Sequence, residues 1–352
     1  MNRVVLVKIG ALVALVVALF LLPYTWWPGV GLLPGETGSA SSLDLLSKVF
    51  VLAALAVTFD LLLGQTGLMS LGHGLYFALG AYVFTMLLAY TDLSFIPAAV
   101  IAIVGTMVVS VLLNLVALRI DGIPYAMVTL AFAELAAVAV HRNYFGTGGE
   151  SGLRAPVDTF PTAFVGLQNI ANVYWACLAL LIVVVAIAWL VIRSPFGLAL
   201  RGCRDNALRM QILGYDVYLV RLGVSVLAST LAALCGVFFV IALGGTDPET
   251  VGMTFALSLI FMVVIGGSGR LAGAVIGGVV YTLLSQRLPA VGAALDESNA
   301  PHLLAEVLGE PDLVLGVVFL LVVFLAPKGI VGVFDQLRHR RSSKTATPAV
   351  MR

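Results

Sequence analysis

Few side chains in this sequence could do chemistry, and the notable ones lie inside long apolar runs. Asp60, His73 and Glu134 are ionisable residues in such runs. An ionisable group in a membrane span is costly, so it indicates a functional role by default. The alternatives stay open: Glu134 as a structural carboxylate between helices, His73 as a hydrogen-bonded packing residue, and Asp60 as an interfacial residue or an acceptor for N–H groups of a glycine-rich loop.

The sequence carries none of the motifs that would place catalysis on this chain. It lacks the phosphate loop G-x-x-x-x-G-K-[ST], and it lacks H-E-x-x-H, G-x-S-x-G and C-x-x-C. Its four histidines are scattered, and Cys177, Cys203 and Cys235 have no metal-ligand spacing. We therefore expect no enzyme activity, no cofactor and no metal site. Any energy for function must come from a partner or an ion gradient.

The composition indicates a protein that lives in a membrane. Of 352 residues, 61% are hydrophobic and 11% are charged, whereas soluble domains carry about 25% charged residues. Such a chain cannot bury its apolar surface in one soluble core, which predicts an all-α polytopic membrane protein in contact with the lipid bilayer. Nucleic-acid binding is excluded as a function, because the basic residues flank apolar runs and form no single basic face.

Ten apolar runs approach the length that crosses about 30 Å of hydrocarbon. The first resembles a secretory signal, but no small-x-small cleavage site follows it, which predicts an uncleaved first helix. Two runs, 252–266 and 312–326, are short, and broken or re-entrant helices are expected among the ten. The predicted spans are 5–22, 43–63, 71–90, 95–118, 123–140, 173–192, 222–243, 252–266, 271–288 and 312–326.

The charges of the connecting segments predict the orientation. The Arg193–Arg221 stretch and the basic C-terminal residues fall on one side of the ten spans, and the acidic 244–251 and 289–311 stretches fall on the other. The positive-inside rule then predicts that both chain ends are cytoplasmic. Residues 1–333 would form the membrane domain, and residues 334–352 a disordered basic tail.

Two irregular segments interrupt the apolar pattern. Glycines crowd Gly64–Tyr82, and in a membrane an irregular backbone is tolerated only when it is buried or lines a cavity. This predicts a broken or re-entrant helix lining a path near Gly72; the alternative is close helix packing through small residues. On the opposite side, the glycines and Pro156 of His141–Asn172 predict an irregular external cap or gate, with a plain connector as the alternative.

The hydrophilic Arg193–Arg221 stretch predicts a surface helix or a pair of helices. Ser194-Pro195 is a helix start, and Gly214 is a plausible stop. Arg201, Asp205 and Arg209 recur at four-residue spacing, which predicts a charged face with intrahelical pairs. Gly202 weakens the helix, so an external protein surface is expected to support it. The alternative is a helix anchored only to lipid.

Four motifs of this sequence resemble those of the bacterial ABC importer permeases for branched-chain amino acids, the LivM type. The resemblance spans about residues 43–333. Leu198, Met210 and Ala274 depart from the family pattern, which weakens any assignment of substrate. The motifs are GQTGLMSLGHGLYFALGAY (64–82), RSPFGLALRGCRDNALRMQILGYDVYLVRL (193–222), GGSGRLAGAVIGG (266–278) and FLAPKGIVG (324–332).

The resemblance implies a location in the bacterial inner membrane, a complex and a mechanism. The chain would pair with a second, homologous permease subunit and with two cytoplasmic ABC ATPase subunits, and a periplasmic binding protein would deliver the solute. The residues implied for ATPase coupling are Arg201, Arg204, Asp205, Asn206 and Arg209.

A zwitterionic solute would meet N–H groups near Gly72 with its carboxylate, and Glu134 with its ammonium. His73 and Asp60 complete the expected path. The alternatives are a permease for urea or short amides, or an ion-coupled secondary transporter that uses Asp60, His73 and Glu134 as a relay.

Overall fold

A computed structural model describes residues 14, 17–25, 33–297, 309–326 and 329–332. The described part is helical and holds no β-sheet, which confirms the predicted all-α class. The main helices are α1 (Ala40–Thr66), α2 (His73–Tyr90), α3 (Phe95–Ala117), α4 (Ile123–His141), α5 (Ile170–Arg193), α6 (Pro195–Ile212), α7 (Val217–Leu243), α8 (Met253–Gly266), α9 (Leu271–Glu297) and α10 (Pro311–Leu325).

Eight of these helices are long and apolar enough to cross a membrane, which confirms the polytopic prediction. Helix α8, with 14 residues, is shorter, as its apolar run indicated, and α6 is the hydrophilic helix. Most of the first predicted span and the whole 334–352 tail lie outside the described residues. The total of ten spans and the sidedness of the chain ends therefore stay predictions.

Helix α1 forms the centre of the bundle. Its side chains are buried on every side, and Val51, Leu55 and Val57 are fully enclosed. Helices α5, α7 and α9 surround it. A helix that is apolar all round is expected at such a central position. Helices α3, α4 and α10 instead leave most of their surface open, as helices facing lipid or another subunit would.

Glycines set how closely the helices approach. A Cβ on Gly236 of α7 would lie 2.1 Å from the carbonyl oxygen of Phe77 in α2, and a Cβ on Gly80 would lie 2.3 Å from that of Ala233. The two backbones touch where these glycines face them, as small residues permit in membrane helices. The packing alternative for the first glycine run therefore holds at Gly80, whereas the predicted break lies earlier in that run.

The connections divide into two groups at opposite ends of the bundle. At one end, called the α6 end, Arg221 pairs with Asp121, and Gln65 donates to the Gly269 carbonyl at 3.1 Å. At the other, called the cap end, Thr246 N–H donates to the Leu153 carbonyl at 2.8 Å. The charge rule assigned each group of connections to one side of the membrane, and the connections within each group contact each other.

The cap end is covered by an ordered irregular segment. Residues 142–169 form four short 3-10 turns. They are fixed to the bundle by Ala155 N–H donating to the Gly244 carbonyl at 3.1 Å and by Tyr90 Oη donating to the Gly146 carbonyl at 2.7 Å. The predicted irregular cap is therefore folded onto the 244–246 turn and is not a plain connector.

Two helices begin inside the bundle, from opposite ends. α1 ends at Gly67 (φ 72°) and α7 ends at Gly244 (φ 77°), both in the left-handed region that favours glycine. A segment without α-helix follows each of them before the helices α2 and α8 begin, and the second of these segments holds a 3-10 turn at Pro248–Thr250. This pair of interrupted helices positions the candidate site.

Candidate functional site

The N-terminus of α2 is buried well inside the bundle. His73 Nε2 lies 2.9 Å from Thr58 Oγ1, and Thr58 precedes the end of α1 by eight residues, or ~12 Å along the helix axis. The residue that caps α2, Gly72, has no side chain to accept the first free N–H groups of the helix. The break predicted near Gly72 is therefore present, and it presents a helix N-terminus within the bundle.

Only glycine fits at this break. A Cβ on Gly72 would lie 2.4 Å from the Thr129 carbonyl oxygen of α4. Thr129 also accepts the Leu71 N–H through Oγ1 at 3.1 Å. Helix α4 is thereby fastened to the start of α2, and the imidazole of His73 is fully buried against Thr58 and Phe59. The packing alternative for His73 matches this placement.

Glu134 lies at the N-terminus of the other short helix. Its Oε1 accepts the Met253 N–H, the first of α8, at 2.7 Å. A carboxylate is favoured there by the helix dipole. Glu134 also faces an open cleft of about 540 Å³ whose lining includes His141, the last residue of the same helix, and Arg142, which follows it. It is thus a carboxylate between helices, as the structural alternative held, and it is exposed in a cleft as well.

The two short helices meet near their N-termini. A Cβ on Gly74, in the first turn of α2, would lie 2.8 Å from Phe255 Cδ1 in the first turn of α8. Two helix N-termini that start from opposite ends present N–H groups and positive dipole ends to the same region. Transporters use such half-helices to bind anionic groups of their substrates near the middle of the membrane.

Asp60 lies away from these termini, towards the α6 end. Its carboxylate is fully buried, and Oδ1 accepts the Gly269 N–H at 2.7 Å. Asp60 therefore holds a glycine turn, but the turn belongs to the second glycine run, not the first. No hydrogen bond or ion pair joins Asp60, His73 and Glu134, all of which the structure describes. The three do not form a continuous relay.

Helix α6 consists of two segments joined by a break. Ser194 Oγ accepts the Gly197 N–H at 3.3 Å, and Gly214 (φ 89°) follows the end, as the sequence predicted. Asn206 has an extended backbone, and its Oδ1 accepts the Arg209 N–H at 2.9 Å. Asn206 thus caps a second short segment. The predicted pair of helices is present.

The predicted charged face of α6 is wrong in its pairing. Arg201 donates to the carbonyls of Gly197 and Ile192, and Asp205 forms an ion pair with neither Arg201 nor Arg209, three residues that the structure describes. The break at Asn206 takes Arg209 off the regular four-residue register, which explains the missing pair between Asp205 and Arg209. Arg204 is partly exposed, but its guanidinium donates to the Gly64 carbonyl at the end of α1.

Gly202 has a reason inside the chain. A Cβ there would lie 2.5 Å from Met210 Sδ, so the glycine makes room for the second segment to fold back on the first. The low helix propensity of Gly202 is therefore no longer an argument for support by an external protein surface.

An apolar tip on α6 is the feature that sequence reasoning missed. Leu208, Ile212 and Leu213 are 67%, 78% and 71% exposed, on a hydrophilic helix that does not span the membrane. We call these three residues the apolar tip. The signal was present in the sequence, since Leu208 and Ile212 are four residues apart beyond the Asn206 break. An exposed apolar patch indicates an interaction surface.

The structure indicates no chemical role for the three cysteines. Cys177, Cys203 and Cys235 are buried free thiols. Burial raises the pKa of the Cys203 thiol, which lies in α6 outside the spanning helices, and so disfavours its reactive thiolate. Among the described residues no group of histidine, cysteine, aspartate or glutamate could hold a metal ion.

The bundle, its interrupted helices and its hydrophilic surface helix define a polytopic membrane protein of the transporter class. Residues 41–326 match the family described as "Branched-chain amino acid transport system / permease component". Since the match covers most of the chain, the chain belongs to this family.

Similar proteins carry corresponding names. The chain is 24% identical over 268 residues to the high-affinity branched-chain amino acid transport system permease proteins LivM of Salmonella typhimurium and Escherichia coli. Each alignment covers 70% of this chain and 63% of the relative, so the chain matches less than two thirds of their length. It is also 24% identical to the probable branched-chain amino acid transport permease protein LivH of Methanocaldococcus jannaschii, covering 85% of this chain and 93% of that protein.

Proposed function

We propose that this chain is the permease subunit of an ATP-binding-cassette importer for branched-chain or related small amino acids. It would sit in the bacterial inner membrane with a homologous second permease subunit. Two ATPase subunits would dock on α6 from the cytoplasm, and a periplasmic binding protein would deliver the solute at the cap end. The observation that carries this proposal is the apolar tip on α6 of a family member that has no ATP-binding motif of its own.

The α6 end fits the docking of an energy source. The apolar tip supplies surface that becomes favourable to bury in a complex. The exposed Asp205 and Arg209 lie beside it on the same helix and can supply polar contacts at the rim. Asn206 fixes the angle between the two segments. ATP-driven closure of the ATPases would then move α6 against the bundle.

The region around the N-termini of α2 and α8 fits a zwitterionic solute. The free N–H groups at the start of α2, near Gly72, would meet a carboxylate. Glu134, exposed in its cleft, would meet an ammonium group, with His141 and Arg142 lining the same cleft. Helix α4 is attached to both short helices, through Thr129 and through Glu134, so its movement would displace the N-termini of α2 and α8 together.

A glutamine at position 134 separates the two roles of that carboxylate. Glu134→Gln keeps an oxygen that can accept the Met253 N–H but removes the charge. If the carboxylate binds the ammonium of the solute, the KM for uptake should rise about tenfold or more, the usual cost of losing a hydrogen bond to a charged group. Glu150→Gln, an exposed acid of the cap, is the matched control and should leave KM unchanged. Unchanged uptake in Glu134→Gln would leave Glu134 as a helix cap only.

The energy source of uptake, once measured, decides whether the proposed function is right. Uptake of labelled leucine in cells should stop when ATP is depleted and should survive a protonophore while ATP is maintained. The opposite pattern would favour an ion-coupled secondary transporter. Competition between leucine, urea and other small polar solutes on the cognate binding protein would establish the substrate class.

A further inference from the structure

We propose that Arg204 is a positioning residue that fastens α6 to the end of α1 and to the turn between α8 and α9. In this role it passes the movement of α6 into the bundle and does not form the contact with a partner. The proposal rests on the proposed function, since it assigns a part in ATP-driven transport. It differs from the docking role that the sequence implied for this arginine.

Arg204 reaches a junction where three segments meet. Its guanidinium donates to the Gly64 carbonyl, two residues before the end of α1. Its Nη1 also lies against Gly269, where a Cβ would be 3.3 Å away. Asp60, one turn before Gly64, accepts the Gly269 N–H and is close enough to Arg204 for electrostatic attraction.

Two further contacts tie the junction together. Gln65 Nε2 donates to the Gly269 carbonyl at 3.1 Å, so both polar backbone groups of Gly269 are bonded to side chains of α1. The chain beyond α10 joins as well, because a Cβ on Gly329 would lie 2.3 Å from Gly267 Cα. Segments far apart in the sequence are thus held in one place by Asp60, Gln65 and Arg204.

The backbones at the junction are in direct contact. A Cβ on Gly64 would lie 2.1 Å from Asp60 Oδ1 and 2.4 Å from the Gly269 nitrogen, so the α1 backbone touches the turn directly. A Cβ on Gly67 would lie 3.3 Å from Arg204 Cγ. Because the contacts are direct, a displacement of Arg204 moves the end of α1 and the 267–270 turn together. Helix α1 is the central helix of the bundle, so this is an effective place for α6 to act.

The other charges of α6 do not share this placement. Arg201 donates to Gly197 and Ile192, within α6 and at the end of α5. The exposed side chain of Arg209, past the Asn206 break, forms no hydrogen bond or ion pair with another described residue.

Arg209 nevertheless lies beside the apolar tip, in the proposed docking surface, so it is not a suitable control. Arg119, just beyond the end of α3 at the same end of the bundle, has an exposed side chain that forms no hydrogen bond or ion pair with another described residue. It provides the matched control, because its removal costs the same charge without touching the junction or α6.

The test compares Arg204→Gln with Arg119→Gln in the assembled transporter, reconstituted with its ATPases, second permease and binding protein. Three quantities are measured: copurification of the ATPases, the rate of ATP hydrolysis and the amount of solute imported per ATP. We expect Arg204→Gln to keep its ATPases and to import about tenfold less solute per ATP, since a charged hydrogen bond is lost. Arg119→Gln should keep the wild-type ratio. Arg204→Lys, which retains the charge with a single donor group, should fall between them.

Asp60→Asn supplies a second test that does not alter α6. Its amide oxygen can still accept the Gly269 N–H while its attraction to Arg204 is lost, so a smaller fall in solute per ATP is expected. Loss of the ATPases from Arg204→Gln would overturn the proposal and make Arg204 a docking contact. A proportional fall in hydrolysis and import, or no change, would overturn it too. Wild-type protein that imports solute without ATP would instead refute the proposed function, and the inference with it.

Discussion

Aspartate at both Leu208 and Ile212 is expected to strip the ATPases from this permease while leaving it inserted and folded. Both side chains are more than two-thirds exposed and belong to the apolar tip. Burying a leucine or isoleucine side chain in an interface contributes roughly 1.5–3 kcal/mol, so losing two should weaken docking by about a hundredfold or more. Buried unpaired carboxylates would weaken it further. Copurification with tagged ATPase subunits and ATP-driven uptake measure the effect.

The control for the apolar tip places a negative charge on the same segment without removing an apolar side chain. Gln211→Asp changes an exposed polar residue between the two positions, and it should retain most of the copurified ATPase. The double variant should retain its spanning helices in the membrane fraction, since α6 is not one of them. If the double variant still copurifies with its ATPases and imports solute, the apolar tip is not the docking surface.

Leucine at Gly236 is expected to abolish the folded bundle. A Cβ alone would approach the Phe77 carbonyl oxygen to 2.1 Å and the Ala81 nitrogen to 2.9 Å. These are backbone atoms, which cannot turn aside as a side chain can, so α2 and α7 must separate along their shared contact. Overpacking a core costs typically about 1–3 kcal/mol, and a clash with backbone is expected to exceed that range. Total stabilities are only about 5–15 kcal/mol.

Size-exclusion chromatography and thermal unfolding of the purified permease check this expectation. Gly236→Leu should give aggregated protein or a melting temperature many degrees lower. Gly105→Leu is the matched control, because no atom of the described residues outside its own helix lies within 4 Å of a Cβ at that glycine on α3. A folded Gly236→Leu protein with wild-type melting behaviour would mean that α2 and α7 do not cross at this glycine.

Local signals in the sequence predicted the helices and their ends well. Long apolar runs give spans by composition alone, and Ser194 and Gly214 mark the ends of α6 through short-range hydrogen bonding and backbone conformation. The break near Gly72 followed from glycine content. Each of these features depends on residues within a few positions of one another, which is the range that pattern reasoning reads reliably.

The partners of the charged residues could not be predicted, because they lie far along the chain. Asp60 bonds to Gly269, 209 positions away, and Glu134 bonds to Met253, 119 positions away. The four-residue spacing of Arg201, Asp205 and Arg209 suggested pairs, but the break at Asn206 ends the helical register on which that spacing depends. Arg204 looked like its neighbours in sequence and is distinguished only by the junction it reaches.

The central claim is that this chain imports solute with energy that partner ATPases deliver through α6. Import of labelled leucine into proteoliposomes tests it most directly, with the chain, the second permease and the ATPases oriented so that ATP reaches the α6 end and the binding protein reaches the cap end. The account predicts import that requires ATP at the α6 end, saturates with loaded binding protein and is lost in the Leu208→Asp, Ile212→Asp double variant. Import driven by a proton gradient alone, or unaffected by that double variant, would contradict it.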